Sequence, residues 1–376
     1  MMIDFKQLAM PGPVALKPYT PGKPVEVLER ELGITGSIKL ASNENPLGCS
    51  PAVTAAVQAS LSGDFFARYP DAAGHELKAD LAAHHGIEAE RITLGNGSND
   101  ILVLLAQALL GPGRASVFSD YAFAVYPIAT AAASGEARVA QALDADSDMP
   151  YGHDLEAMRA LIDDKVRLVF VANPNNPTGT WLEPDGFEAF LRDVPDDVVV
   201  VLDEAYHHYQ PEDWRIDARR LLDEYPNLVV TRTFSKIYGI AAMRIGYGLS
   251  HAGLADILNR VRQPFNNNAV AHVAARAALA DGEFVDESVA TNLTGLARVR
   301  QGLDALGVGY LPTHTNFLTF DLARDAAPVY EAMLREGVIV RPLAGYGMPN
   351  HLRTTIGTVH ENERFLDALG RVLSAG

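Results

Sequence analysis

The chain has 376 residues, of which 48% are hydrophobic and 21% charged, an ordinary balance for a soluble globular protein, and its length points to two domains. Its formal charge of −16 argues against nucleic acid or an anionic membrane as partner, although a few arginines can still make a local anion pocket. A single cysteine, Cys49, excludes an intrachain disulfide framework and a cysteine-rich metal site, and reads as a small apolar residue beside a helix start.

The start, Met1-Met-Ile-Asp-Phe-Lys6, lacks a basic segment followed by an apolar run, so no secretory signal is expected. No apolar stretch approaches the roughly 18 residues of a membrane span, and a cytoplasmic protein follows as the expectation. Residues 10–24 hold five prolines and two glycines and read as an extended arm. Ser50-Pro51 caps a helix running to about Leu61, a second helix covers 75–85, and Arg91 to Leu94 is a short strand. That strand turns through Gly95-Asn-Gly-Ser98 into a helix, Asn99 to Leu110, apolar nearly all round and therefore buried.

From there to about residue 250, β-branched runs alternate with helical patterns, the signature of crossover units around a largely parallel sheet. After residue 265 the pattern changes. An alanine-rich helix (Ala269 to Ala280) and a helix over 283–306 lead to strands near 316–321, 338–341 and 352–356, then a last helix from about Glu361. The fold class is thus α/β with a smaller α+β domain. The division expected is an arm and part of the small domain over 1–44, a large domain over 45–268, and a small C-terminal domain over 269–376.

Three apolar runs end in useful chemistry. Val166 to Ala172 runs into Asn173-Pro-Asn-Asn-Pro-Thr-Gly179, Val198 to Leu202 into Asp203-Glu-Ala-Tyr206, and a third strand into Thr231-Arg-Thr-Phe-Ser-Lys236 with Arg244 beyond. Open α/β sheets bind ligands at such carboxyl ends. An asparagine, an aspartate, a tyrosine, a lysine and an arginine in this order suit pyridoxal 5'-phosphate. Lys236 is the candidate to condense with the cofactor aldehyde and move the proton, and Asp203 to keep the pyridine nitrogen protonated. Asn176 and Tyr206 are candidate donors to the ring oxygen. Gly97, Ser98 and Asn99 open a helix whose amides attract phosphate, with Thr233, Ser235 and Arg244 as further donors.

Competing readings of these phrases are weaker. An acid after Val-Val-Val-Val-Leu202 also suits a nucleotide hydrolase, but no Gly-x4-Gly-Lys-Ser/Thr loop lies upstream. Gly95-x-Gly97 lacks the third glycine of a dinucleotide site, Asp100 standing in its place. His207 and His208 beside Glu204 read as exposed loop histidines rather than metal ligands, and His84, His85 and His351 carry no stronger signal. No metal is expected.

Several phrases in order carry a family resemblance: Leu40-Ala-Ser-Asn-Glu-Asn-Pro-Leu-Gly48, Arg68-Tyr-Pro-Asp71, Gly95-Asn-Gly-Ser-Asn-Asp100, the three strand ends above, and Leu352-Arg-Thr-Thr-Ile-Gly-Thr358. With them the chain resembles the fold-type I aminotransferases, and within these the histidinol-phosphate aminotransferases, from about Pro18 to the C-terminus. The resemblance implies a large domain with a mixed, mostly parallel seven-stranded sheet carrying the cofactor. It also implies a homodimer in which Tyr69 reaches the cofactor phosphate of the neighbouring subunit. Tyr121 matches the aromatic that stacks on the pyridine ring, although Ser119-Asp120 precedes it where many relatives have Pro-Thr. Arg353 matches the arginine that grips the substrate's acid group, while Tyr19 and Arg341 match positions holding the anionic end of the amino donor. The implied reaction is histidinol phosphate plus 2-oxoglutarate exchanging with imidazole-acetol phosphate plus glutamate. An aromatic-amino-acid aminotransferase, a phosphothreonine decarboxylase of the same fold, and the sensing domain of a transcription regulator are the alternatives; regulators of the last kind carry a DNA-binding domain ahead of the core, where only a short proline-rich arm is expected here.

Overall fold

The computed structural model of the chain describes residues 3–18 and 22–375. Its strands are β1 (Ile38–Lys39), β2 (Ile92–Gly95), β3 (Ala115–Ser119), β4 (Glu136–Ala140), β5 (Val166–Ala172), β6 (Val199–Asp203), β7 (Leu228–Thr233), β8 (Gly246–Leu249), β9 (Gly309–Tyr310), β10 (Phe317–Asp321), β11 (Val338–Ile339), β12 (Arg341–Pro342) and β13 (His351–Thr355). Seven of these form the central sheet in the order β2-β8-β7-β6-β5-β3-β4. Only β8 runs antiparallel to its neighbours, so the sheet is mixed and mostly parallel.

Strands β5, β6 and β7 are valine- and leucine-rich on both faces because helices cover both sides of the sheet. One layer of the core holds Phe187, Val200 and Ile245; the other holds Leu105, Tyr126 and Phe170. Parallel pairing brings the carboxyl ends into line. Ala172 sits beside Asp203, and Asp203 beside Thr231.

The smaller unit is an antiparallel sheet, β12-β13-β10-β9, sharing one apolar core with the helices Gly282–Ala305 and Val359–Ser374. The latter begins with a capping box between Thr358 and Glu361. Leu40 joins this second core, and β1 pairs in parallel with β11.

Two expectations need correction. Residues 10–24 are not wholly extended: Pro11–Ala15 is a short helix lying on Val125–Ala132. A proline in the first turn starts a helix as readily as it interrupts one. The alanine-rich helix Ala269–Leu279 packs into the large core through Ala271, Ala274, Ala275 and Ala278, against the helix Pro51–Ser60. The large core therefore runs past residue 268. Small side chains let two helices approach closely, and nothing local says which partner they approach. Among the described residues no helix is long and apolar enough to cross a membrane.

Candidate active site

Asp203 ends β6 and is buried. Its Oδ1 accepts a hydrogen bond from Thr231 Oγ1 at 2.9 Å and its Oδ2 one from Tyr126 OH at 3.0 Å. Burial pushes its carboxyl up to about 6, against the pull of these two donors. Tyr126 is itself fixed by stacking on Phe170, with ring centroids 4.7 Å apart.

Lys236 follows β7 by three residues, and its Nζ donates to Ser42 O at 3.2 Å. Burial, helped by the positive charge of Arg353, lowers its ammonium to about 8. The amine lies 5.7 Å from the centre of the Tyr206 ring. Tyr206 OH accepts from Asn43 Nδ2 at 2.8 Å, and burial raises the phenol to about 12.

Opposite these groups the helix Ser98–Leu109 begins. Gly97 precedes it at φ 75°, and a Cβ there would lie 2.8 Å from Arg244 Nη2. Gly246 on β8 runs flush beneath the helix start, where a Cβ would meet Ser98 N at 2.4 Å. Arg244 donates to Ser235 Oγ at 3.2 Å and to Asn96 O at 3.3 Å. Thr233 Oγ1 accepts from Ser235 N at 3.1 Å. The result is a cluster of amides, hydroxyls and one guanidinium, suited to an anion.

One cleft of ≈ 640 Å³, counted out to the solvent, is lined by Gly97, Ser98, Asn99, Asn176, Asp203 and Tyr206, and by Thr233, Ser235, Lys236 and Arg244. Those ten sequence candidates thus face a common space. Arg353, on β13, borders it. Its Nη1 donates to Asn176 Oδ1, its Nη2 donates to Ala41 O at 3.0 Å, and its guanidinium lies 5.0 Å over the Phe317 ring.

Arg341 and Tyr121 line a second recess of ≈ 1280 Å³, together with Lys17, Asp120 and Tyr346. The aromatic residue of this segment that lines the cleft itself is Phe123. Within Tyr121-Ala-Phe123-Ala-Val-Tyr126, three aromatics stand close together, and only the path of the backbone decides which faces where. Tyr69 lies outside the cleft, 81% exposed and stacked on Phe265 at 4.5 Å. Tyr19 falls outside the described residues.

Sequence reasoning also missed Tyr126, Thr231, Asn43 and the Ser42 carbonyl, each of which touches Asp203, Tyr206 or Lys236. Thr231 was the most accessible of them: it opens the phrase that ends in Lys236. His207 and His208 are not exposed, contrary to expectation, but half-buried beneath the strand ends. There Glu204 accepts from Arg232 Nε at 2.9 Å and Nη2 at 2.7 Å, and His207 Nδ1 lies 3.3 Å from its other oxygen. Burial opposes ionisation of Glu204, yet Arg232 and His207 outweigh it and hold the carboxyl at about 2.

A seven-stranded sheet of this order, with an aspartate and a lysine at its strand ends facing a helix N-terminus, is the architecture of fold-type I transferases. Residues 35–369 match the model of the family described as aminotransferase class I and II, and the chain belongs to that family. It is 55% identical to histidinol-phosphate aminotransferase 2 of Pseudomonas aeruginosa, over 99% of this chain and 100% of the relative. It is 54% identical to the protein of the same name from Pseudomonas fluorescens, over 99% of both. Among solved structures, histidinol-phosphate aminotransferase from Sinorhizobium meliloti in complex with pyridoxal-5'-phosphate superposes with a TM-score of 0.88 at 29% identity, covering 98% of both chains.

Proposed function

We propose that the chain is a pyridoxal 5'-phosphate-dependent aminotransferase of histidine biosynthesis, passing the amino group of histidinol phosphate to 2-oxoglutarate and yielding imidazole-acetol phosphate and glutamate. One observation carries the chemistry: Asp203, Lys236 and the anion cluster around Gly97 and Arg244 line a single cleft. Relatives named for this reaction, more than half identical along the whole chain, support the substrate.

The donor set fits the cofactor. Among the described residues lining the cleft, Asp203 is the one carboxylate, as a cationic ring nitrogen requires, and the far end offers amides, hydroxyls and a guanidinium with no carboxylate among them, as a phosphate requires. When bound, pyridoxal phosphate supplies an aldehyde that takes up the amino group and a ring that draws electrons from the substrate α-carbon.

The remaining work falls to the chain. Asp203, with both oxygens held by Thr231 and Tyr126, stabilises the ring cation, and that cation in turn returns the carboxyl to its ionised form. Lys236, with its ammonium lowered to about 8, has a substantial neutral fraction near neutral pH and moves a proton at the α-carbon. Asn176 and Tyr206 donate to the ring oxygen. Gly97, Ser98, Asn99, Thr233, Ser235 and Arg244 hold the phosphate, and Phe123 provides an apolar wall beside Asp203.

Arg353 binds the anion that each substrate presents in turn, the phosphate of histidinol phosphate or a carboxylate of glutamate, and Arg341 adds a second positive charge for the phosphate, with Tyr19 assisting. The enzyme acts in the cytoplasm as a homodimer. The exposure of Phe66 and Tyr69 supports an interface on that side, across which Tyr69 reaches the neighbouring site. The N-terminal segment is taken as part of the smaller unit, as the pairing of β1 with β11 supports.

The test is a single-turnover absorbance experiment on the cofactor-loaded protein, adding histidinol phosphate, phenylalanine or glutamate separately. Rapid change of the cofactor band with histidinol phosphate and a much slower one with phenylalanine is expected. A faster response to phenylalanine would reassign the enzyme to aromatic amino acids, and no visible cofactor band would defeat the reading altogether.

A further inference from the structure

Tyr121 sits in the arginine-bearing recess with its backbone at φ 50°, in the left-handed region that side chains avoid. It packs on Leu311, Leu343 and Met348, and two directional contacts orient it. Asn175 Nδ2 donates to its carbonyl at 3.0 Å, and the Tyr151 ring stands edge-on to it, 5.2 Å between centroids at 80°. Tyr151 is also in the left-handed region, at φ 58°. Its other side meets His351 edge-on at 5.5 Å and 85°. A non-glycine residue persists in that conformation only where the surroundings over-determine it, and here two consecutive members of one aromatic row do so.

His351 lies on β13 two residues before Arg353, so both side chains leave the same face of the strand. Arg353 is paired across the ladder with Arg341, which shares that face. The row Tyr121–Tyr151–His351 therefore ties one wall of the recess, supplied by the large unit, to the sheet face of the smaller unit that bears both arginines. Asp321, 3.9 Å from His351 Nε2, and Asp120 and Lys17 in the recess are the charged groups around this row.

We infer that Tyr151 is a positioning residue for substrate selection: it sets Tyr121 against the arginines so that the recess accepts a phosphate-tailed amino donor. Tyr121 then contributes to the substrate recess, while Phe123 serves the cofactor cleft. The inference rests on the proposed function for the identity of the donor. Burial of Tyr151 raises its phenol, so at neutral pH it acts as a neutral ring. The contacts it makes are ring edges, which phenylalanine reproduces.

The experiment compares Tyr151→Ala, Tyr151→Phe and Tyr121→Ala with the unaltered protein, all loaded with cofactor. Three quantities are read: steady-state constants for histidinol phosphate, competitive inhibition by inorganic phosphate, and cofactor affinity from fluorescence quenching of the apoprotein. Tyr151→Ala is expected to raise the histidinol phosphate KM and the phosphate inhibition constant about tenfold, with kcat and cofactor affinity within about twofold. Tyr121→Ala is expected to move the same two constants at least as far, and Tyr151→Phe to stay near the original. Unchanged KM and phosphate inhibition in Tyr151→Ala would overturn the inference. So would a loss of cofactor affinity as large as the loss of phosphate binding. If the unaltered protein fails to convert histidinol phosphate, the proposed substrate falls, whereas phosphate protection against thermal unfolding still reads whether Tyr151 shapes the recess.

Discussion

Arg341 on β12 stands directly opposite Arg353 on β13, so two guanidinium side chains leave adjacent strands on one face of the small sheet. Like charges in that position disfavour the sheet, and an anion between or beside them relieves the repulsion. Replacing Arg341 by alanine is therefore expected to raise the KM for histidinol phosphate about 10- to 100-fold, the range of one charge-assisted hydrogen bond. The glutamate half-reaction is expected to change little. Arg353→Ala is expected to impair both half-reactions, because Arg353 also fixes Asn176 and the Ala41 carbonyl. Rapid-mixing measurement of each half-reaction separates the two; small and equal losses in Arg353→Ala would remove it from the site.

Lys236 titrates near 8, below an ordinary lysine, chiefly through burial and then through Arg353. Its neutral, nucleophilic fraction grows as pH rises through that value. The rate at which the apoprotein takes up pyridoxal phosphate is accordingly expected to rise with a midpoint near 8. In Arg353→Ala the midpoint should move upward, since a neighbouring positive charge is gone. A midpoint above 10 in the unaltered protein would contradict this environment for Lys236.

Tyr126 donates to the buried Asp203, yet it has no counterpart among the residues expected from the sequence. Tyr126→Phe leaves the ring stack on Phe170 intact and removes one donor, at a cost of about 1.5–3 kcal/mol for a bond to a charged group. Weaker support for the ionised carboxylate should lower cofactor affinity at least about tenfold. Equilibrium dialysis against pyridoxal phosphate measures it. Asp203→Asn is expected to abolish transamination while leaving the fold intact by circular dichroism.

The Glu204–Arg232 pair joins the ends of β6 and β7 directly beneath the site. Glu204→Gln would leave Arg232 buried without its counter-charge, a loss of about 3–5 kcal/mol. Denaturant unfolding of the apoprotein is the direct measurement, and a loss below about 1 kcal/mol would show that water solvates Arg232 or another group neutralises it.

His153 is buried, with Nε2 bonded to Ala172 O at 3.0 Å and no partner for Nδ1. Burial lowers its pKa from 6.5 to about 4. Between those values the unfolded chain binds a proton that the folded chain does not, so stability falls as pH drops through that window. The full effect is about 3 kcal/mol. Replacing His153 by glutamine, which retains an amide donor, should flatten the fall by about one proton in chemical denaturation series from pH 7 to pH 4.

Much of the site was legible because each chemical residue closes a strand or follows its end within three residues. Asp203 stands where an apolar run stops, Gly97 and Lys236 a few residues beyond one, and run length with β-branching reports those stops directly. Their assembly follows from the parallel register, which a row of crossover units makes nearly obligatory. Tyr126 and Asn43 were illegible for the opposite reason. They reach the site from elements distant in the chain, and their hydrogen-bonding capacity is no greater than that of any other tyrosine or asparagine.

Local pattern and spacing carried the family, the alternation of strands and helices around a largely parallel sheet, and the candidate groups at the strand ends. Which of Tyr121 and Phe123 faces the cleft, that Arg341 and Arg353 stand side by side, and that the alanine-rich helix packs on the large core follow only from how the chain packs on itself. Each of those is a choice among chemically equivalent partners. It is settled by backbone direction and close packing across long stretches of chain, which no local pattern encodes.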